Sequence, residues 1–73
     1  MSDSDAVLVK TQFVRKNIFT GEMNSMVFEI SPLQLAMYDN GANVQDSFPQ
    51  LSASEREFII SGVLPEDQDK YWN

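Results

Sequence analysis

Glu55 and Glu57 are the closest this chain comes to a catalytic carboxylate pair. Two carboxylates share acid–base work only when both reach one substrate, and residues two apart on a helix point in different directions. Glu55 also stands three residues after Ser52, the spacing of a helix cap. Arg56 lies between the two, placed to pair with Asp69 or with a partner's carboxylate. Glu66, Asp67 and Asp69 make an oxygen-rich run, but the spacing and central glycine of a calcium loop are missing. A helix N-terminus accounts for them better, because carboxylates there meet the positive end of the dipole. Ser31, Ser52 and Ser54 have no histidine to activate them, since the chain has neither histidine nor cysteine. Gly21, Gly41 and Gly62 each fall at an element end, so no phosphate-cradling loop is present. The expectation is a protein with no enzyme activity, no metal and no cofactor.

The elements that must position these residues are well announced. From Ala6 to Lys16 the chain alternates, with Val7, Val9, Thr11 and Phe13 on one face of a strand and Leu8, Lys10, Gln12 and Val14 on the other. Thr20-Gly21 supplies a turn, and a second strand runs from about Met23 to Ile30. The inward set reads as Val7, Val9, Phe13, Met26, Phe28 and Ile30. Ser31-Pro32-Leu33-Gln34 is a capping box with proline at the first helical position, and Gly41 stops that helix near residue 40. Ile30 and Leu35 flank this cap at staple spacing, while Leu33, Ala36 and Met37 are spaced to face the hairpin. Asn43 is placed to cap one helical turn that ends at Pro49.

Ser52-Ala53-Ser54-Glu55 is a second capping box, opening a helix from Ala53 to Ser61 with Phe58 and Ile59 inward. Gly62 then ends it, with Val63 placed to fold back on Phe58 in a Schellman stop. A last helix starts at Pro65, and Tyr71 and Trp72 are expected to dock its tail on the core. The fold class is α+β: an N-terminal β-hairpin packed against three or four short C-terminal helices. All 73 residues form one domain, with residues 1–5 disordered, 6–30 in the hairpin and 31–73 in the helical part.

The order Gln45-Asp46-x-Phe48-Pro49-x-Leu51-Ser52-x-x-Glu55-Arg56-Glu57-Phe58-x-x-Ser61-Gly62-x-x-Pro65-Glu66 resembles the C-terminal signature of small bacteriophage-encoded accessory proteins of unassigned function. Thr20-Gly21 and the Ser31–Gln34 cap extend the resemblance over residues 18–72. One departure is Gln68, where that pattern often has tryptophan; Trp72 stands where another aromatic is usual. The resemblance implies a viral origin and a compact accessory protein, and it supplies no reaction.

Charge narrows the partners. The net −6 sits entirely in residues 29–73, since residues 1–28 balance. That argues against direct binding of a nucleic-acid backbone, which needs clustered cations. A DNA mimic is disfavoured too, because Arg56 and Lys70 interrupt the acidic half. No apolar run reaches the roughly 20 residues of a membrane span, and the acidic start is unlike a signal peptide. The expected setting is therefore the host cytoplasm, with the virion as the alternative, and no membrane. The functional expectation is protein–protein interaction that modulates a host or viral enzyme. The alternative is a minor virion component or assembly factor, for which the hairpin's unpaired edge would pair with a second copy as a homodimer. Phe19, Tyr38, Tyr71 and Trp72 are the candidate partner-binding aromatics. Arg56 and Glu57 join them, because no cap requires either.

Overall fold

The computed structural model describes residues 7–72. Two antiparallel strands, β1 (Val9–Lys16) and β2 (Met23–Ile30), are followed by α1 (Pro32–Asp39), α2 (Val44–Ser47), α3 (Ala53–Ser61) and a C-terminal 3-10 helix (Pro65–Lys70). The strands pair without a bulge from Val9–Ile30 to Lys16–Met23. The α+β expectation holds: among the described residues, three α-helices and one 3-10 helix stand against a hairpin. The expected disorder of residues 1–5 falls outside the described residues, as does Ala6.

Local chemistry explains the helix boundaries. Ser31 Oγ accepts the Gln34 amide at 3.1 Å while the Ser31 amide donates to Gln34 Oε1 at 3.2 Å. Ser52 and Glu55 repeat the exchange at 3.2 and 2.8 Å. Such caps each contribute about 1 kcal/mol. α1 ends in a full Schellman stop: the Gly41 amide donates to the Tyr38 carbonyl at 3.0 Å and the Ala42 amide to Met37 at 3.1 Å. α3 ends in the simpler left-handed stop, with the Gly62 amide on the Phe58 carbonyl at 2.8 Å. No second Schellman bond runs from Val63, whose amide donates to Ser61 Oγ at 3.3 Å, while its side chain is fully buried. Asn43 caps α2 by position only; its side-chain amide donates to Asp46 at 3.4 Å instead.

One core joins the two layers: Phe13, Phe28 and Ile30 from the hairpin, Phe48 and Leu51 from the loop, and Phe58 and Ile59 from α3. Its rings meet edge-on or tilted, Phe13 with Phe28 at 5.6 Å, Phe13 with Phe48 at 6.0 Å and Phe28 with Phe58 at 6.2 Å. Val7 and Val9, expected inward, are half exposed. Helix length is the reason. α3 spans about 13 Å and docks at the turn end of β1, a strand of about 27 Å, so the start of β1 is left uncovered.

Leu33, Ala36 and Met37 were expected to face the hairpin, yet all three are exposed, and Leu35 with Tyr38 packs inward. The staple decides the roll of α1. With Leu35 on the same core as Ile30, residues two away on the helix point about 200° off, toward solvent. The polar side of this layer is tied down as well. Gln34 and Gln50 exchange two side-chain hydrogen bonds of 2.9 and 2.8 Å, and Gln50 Nε2 also donates to the Glu29 carbonyl at 3.1 Å.

The layers are joined at the C-terminus of α3. Its carbonyls, which no helical amide can reach, accept from the hairpin: Ile59 from Arg15 Nε at 3.2 Å, Ser61 from the Ile18 amide at 3.0 Å, and Gly62 from Asn24 Nδ2 at 2.9 Å. Gly62 has φ of 77°, and a Cβ there would overlap the Lys16 carbonyl and lie 2.8 Å from the Asn17 nitrogen. Gly41 also has positive φ, at 100°, but open space around it.

Two stability outcomes follow from these positions. Gly62→Ala should lower unfolding free energy by about 2–4 kcal/mol, left-handed strain and backbone overlap combined. Gly41→Ala should lose about 1–2 kcal/mol, from strain alone. Urea titrations followed by circular dichroism measure the difference, and equal losses would contradict the close approach. Ser47 is fully buried on α2, and its hydroxyl has no partner among the described residues. Ser47→Ala should therefore leave stability unchanged or raise it by up to about 1 kcal/mol in the same titration.

Candidate functional site

Three of the six residues singled out in the sequence meet at the hairpin tip. Phe19 and Tyr71 stack with ring centroids 4.2 Å apart and planes 9° from parallel. Trp72 stands edge-on to both, 5.6 Å from Phe19 and 6.1 Å from Tyr71. The expectation that Tyr71 and Trp72 dock on the core is thus corrected: they dock on the turn, and the cluster stays open to solvent. Phe19 is 52% exposed, Trp72 46% and Tyr71 37%. Ile18 and Met23 flank the same turn and are exposed as well.

The backbone that presents this cluster is held by polar residues. Asn17 is buried, and its Oδ1 accepts the amides of Phe19 at 2.7 Å and Thr20 at 3.2 Å, an Asx turn. The Ile18 amide is fixed on the Ser61 carbonyl, so the turn cannot swing away from α3 without breaking that bond. On the other side Gln68 acts as a hub. Its Nε2 donates to the Ser54 carbonyl at 2.8 Å and to the Val63 carbonyl at 3.2 Å, while its own carbonyl accepts the amides of Tyr71 and Trp72, both at 3.0 Å.

Gln68 and Asn17 were missed as site-positioning residues. Asn17 opens a turn, a position where asparagine commonly bonds the backbone two residues on. That signal was readable. Gln68 offers none, because its partners lie 14 and 5 residues away on other segments.

Arg56 and Glu57 meet elsewhere. They line an open cleft of about 240 Å³ with Val44, Gln45, Ala53 and Ile60. Arg56 does not pair with Asp69; its Nε reaches the Ser52 carbonyl at 3.4 Å, and the one ion pair among the described residues is Lys70 with Asp67 at 3.2 Å. Gln68, not an acid, makes the bond that ties the 3-10 helix to the start of α3. Tyr38 joins neither group: it tilts against Phe48 at 5.4 Å and packs on the core. The oxygens of Ser31, Ser52 and Glu55 are engaged in caps. Among the described residues no three metal-ligating side chains converge.

Trp72 is the only tryptophan, so its emission reports the cluster directly. Phe19→Ala should shift that emission to the red and flatten the near-ultraviolet circular dichroism, with a stability loss of about 1 kcal/mol. Unchanged emission would show that the stack does not persist in solution. Compared with known proteins, the chain matches no family model, no curated protein and no solved structure.

Proposed function

We propose that this chain is a small bacteriophage accessory protein that acts by protein–protein interaction in the host cytoplasm, docking on a host or viral enzyme and altering its activity. The observation that carries this reading is the exposed cluster of Phe19, Tyr71 and Trp72 on a braced turn. Exposed aromatic side chains of this kind gain the most when a partner excludes water from them, and they dominate interfaces for that reason. Bracing matters equally. A turn already held by Asn17 and Ser61 has little freedom left to lose on binding, so more of the contact energy is available as affinity. The phage setting rests on the tract from Gln45 to Glu66.

The second reading, a minor virion component or assembly factor, is favoured by the hairpin edge that has no partner strand among the described residues. One experiment separates the two. Tagged wild-type protein and the Phe19→Ala/Trp72→Ala variant are recovered from infected cells, and purified virions are assayed by mass spectrometry. The proposed function expects one enzyme to copurify with the wild type only, with affinity lowered by about 2 kcal/mol or more in the variant, and no signal in particles. Stoichiometric presence in particles would overturn it, as would an enzyme retained equally by both proteins.

A further inference from the structure

β1 is a cationic strand in an acidic chain. Val9–Lys16 contains Lys10, Arg15 and Lys16, three of the five cations, and no acid. That is +3 in a chain of −6, which leaves −9 on the rest. None of these three side chains is in an ion pair among the described residues; even Glu29, in register with Lys10, does not close on it.

The same strand has an open edge. Among the described residues the sheet consists of β1 and β2, so each strand pairs there on one side. The Asn17 amide bonds the Glu22 carbonyl at 2.8 Å, which makes that pair a hydrogen-bonded one. By alternation, Lys16, Val14, Gln12 and Lys10 turn their amides and carbonyls away from β2. Glu29 confirms the phase from the other strand, since its carbonyl points outward to Gln50. At the tip, Gly62 lies against the Lys16 carbonyl, and the Val14 carbonyl is taken by Arg15 Nη1 at 3.0 Å. The outward amides of Lys10, Gln12 and Val14 and the carbonyls of Lys10 and Gln12 have no partner among the described residues. Val9 and Val14, both half exposed, supply apolar contact on either face of this edge.

We propose that the outer edge of β1, from Lys10 to Val14, takes up an acidic, extended segment of a partner protein as an added strand. Main-chain bonds would supply the fit and alternate side chains the selection. Carboxylates on the added strand would lie beside Lys10 and Lys16 on one face, and the alternate small apolar residues would lie on the other face, beside Val9. Charge also selects against a second copy. An antiparallel β1–β1 pair would gather six cations in two strands, and like charges across a pair are destabilising. β2 is the poorer edge, because Gln50, itself held by Gln34, already bonds its Glu29 carbonyl.

The test uses the full chain and a fluorescein-labelled decapeptide of alternating Glu and Val. Two controls accompany it: the same peptide with Lys for Glu, and the acidic peptide with alternate backbone nitrogens methylated. Anisotropy gives affinity, and amide hydrogen exchange by NMR gives location. The acidic peptide should bind saturably and protect the amides of Lys10, Gln12 and Val14. Affinity should fall about tenfold or more with the Lys peptide, with the methylated peptide, and with a folded Lys10→Glu/Lys16→Glu variant. No binding, equal binding of either control peptide, or protection mapping elsewhere would overturn the proposal. So would tighter binding of a single-stranded oligothymidylate. The methylated peptide needs no protein variant, so a variant that fails to fold does not shelter the idea. Phe19, Tyr71 and Trp72 take no part, so this test and that of the aromatic cluster fail independently.

Discussion

The seating of the α3 C-terminus on the hairpin is the constraint on which the rest depends. Three carbonyls that a helix cannot satisfy by itself meet three donors from β1, the turn and β2. The approach is close because Gly62 has no side chain to hold the backbones apart. Behind that joint the Phe13, Phe28, Phe48 and Phe58 rings close the core, with Arg15 poised 5.3 Å over the Phe13 ring. The joint also orients the turn toward the 3-10 helix, which is how Phe19 comes to lie under Tyr71. Without it the hairpin is a two-stranded ribbon, marginal alone, and the aromatic cluster has no platform.

Features that bond within a few residues were legible in the chain. Both capping boxes, the glycine stops and the bounds of β2 and α3 follow from spacing alone, because each is decided by contacts over three or four positions. Features set by distant partners were not. Val9 looks like a core residue in any alternating strand, and only the short reach of α3 leaves it in solvent. The outward stripe of Leu33, Ala36 and Met37 competes with the inward pair Leu35 and Tyr38, and the staple on Ile30 settles the contest. Spacing offered both answers. The staple was visible and was the better guide.

The candidate surface was legible in its parts and illegible in its grouping. Phe19 and Trp72 drew attention by type, but 53 positions apart nothing announced that they would touch. Gln68 is the instructive case. It departs from the aromatic expected by resemblance, and its side-chain amide ties the 3-10 helix to the Ser54 and Val63 carbonyls, while its backbone carbonyl accepts the amides of Tyr71 and Trp72. Arg56 and Glu57 stood out as unneeded by any cap, and they do share one cleft, although with neutral neighbours, Val44, Gln45, Ala53 and Ile60, rather than a charged partner.

The joint at Gly62 also sets an order of events. Each capping box closes over three residues and the turn over a handful, so hairpin and helices sample their shapes within about 10 microseconds, although neither is stable by itself. The bond from Arg15 to Ile59 closes over 44 residues. Loop entropy must be lost before that contact returns anything, which makes it the late step in assembly. The local pieces are therefore secured only when they meet, through a fit that has no room for a methyl group.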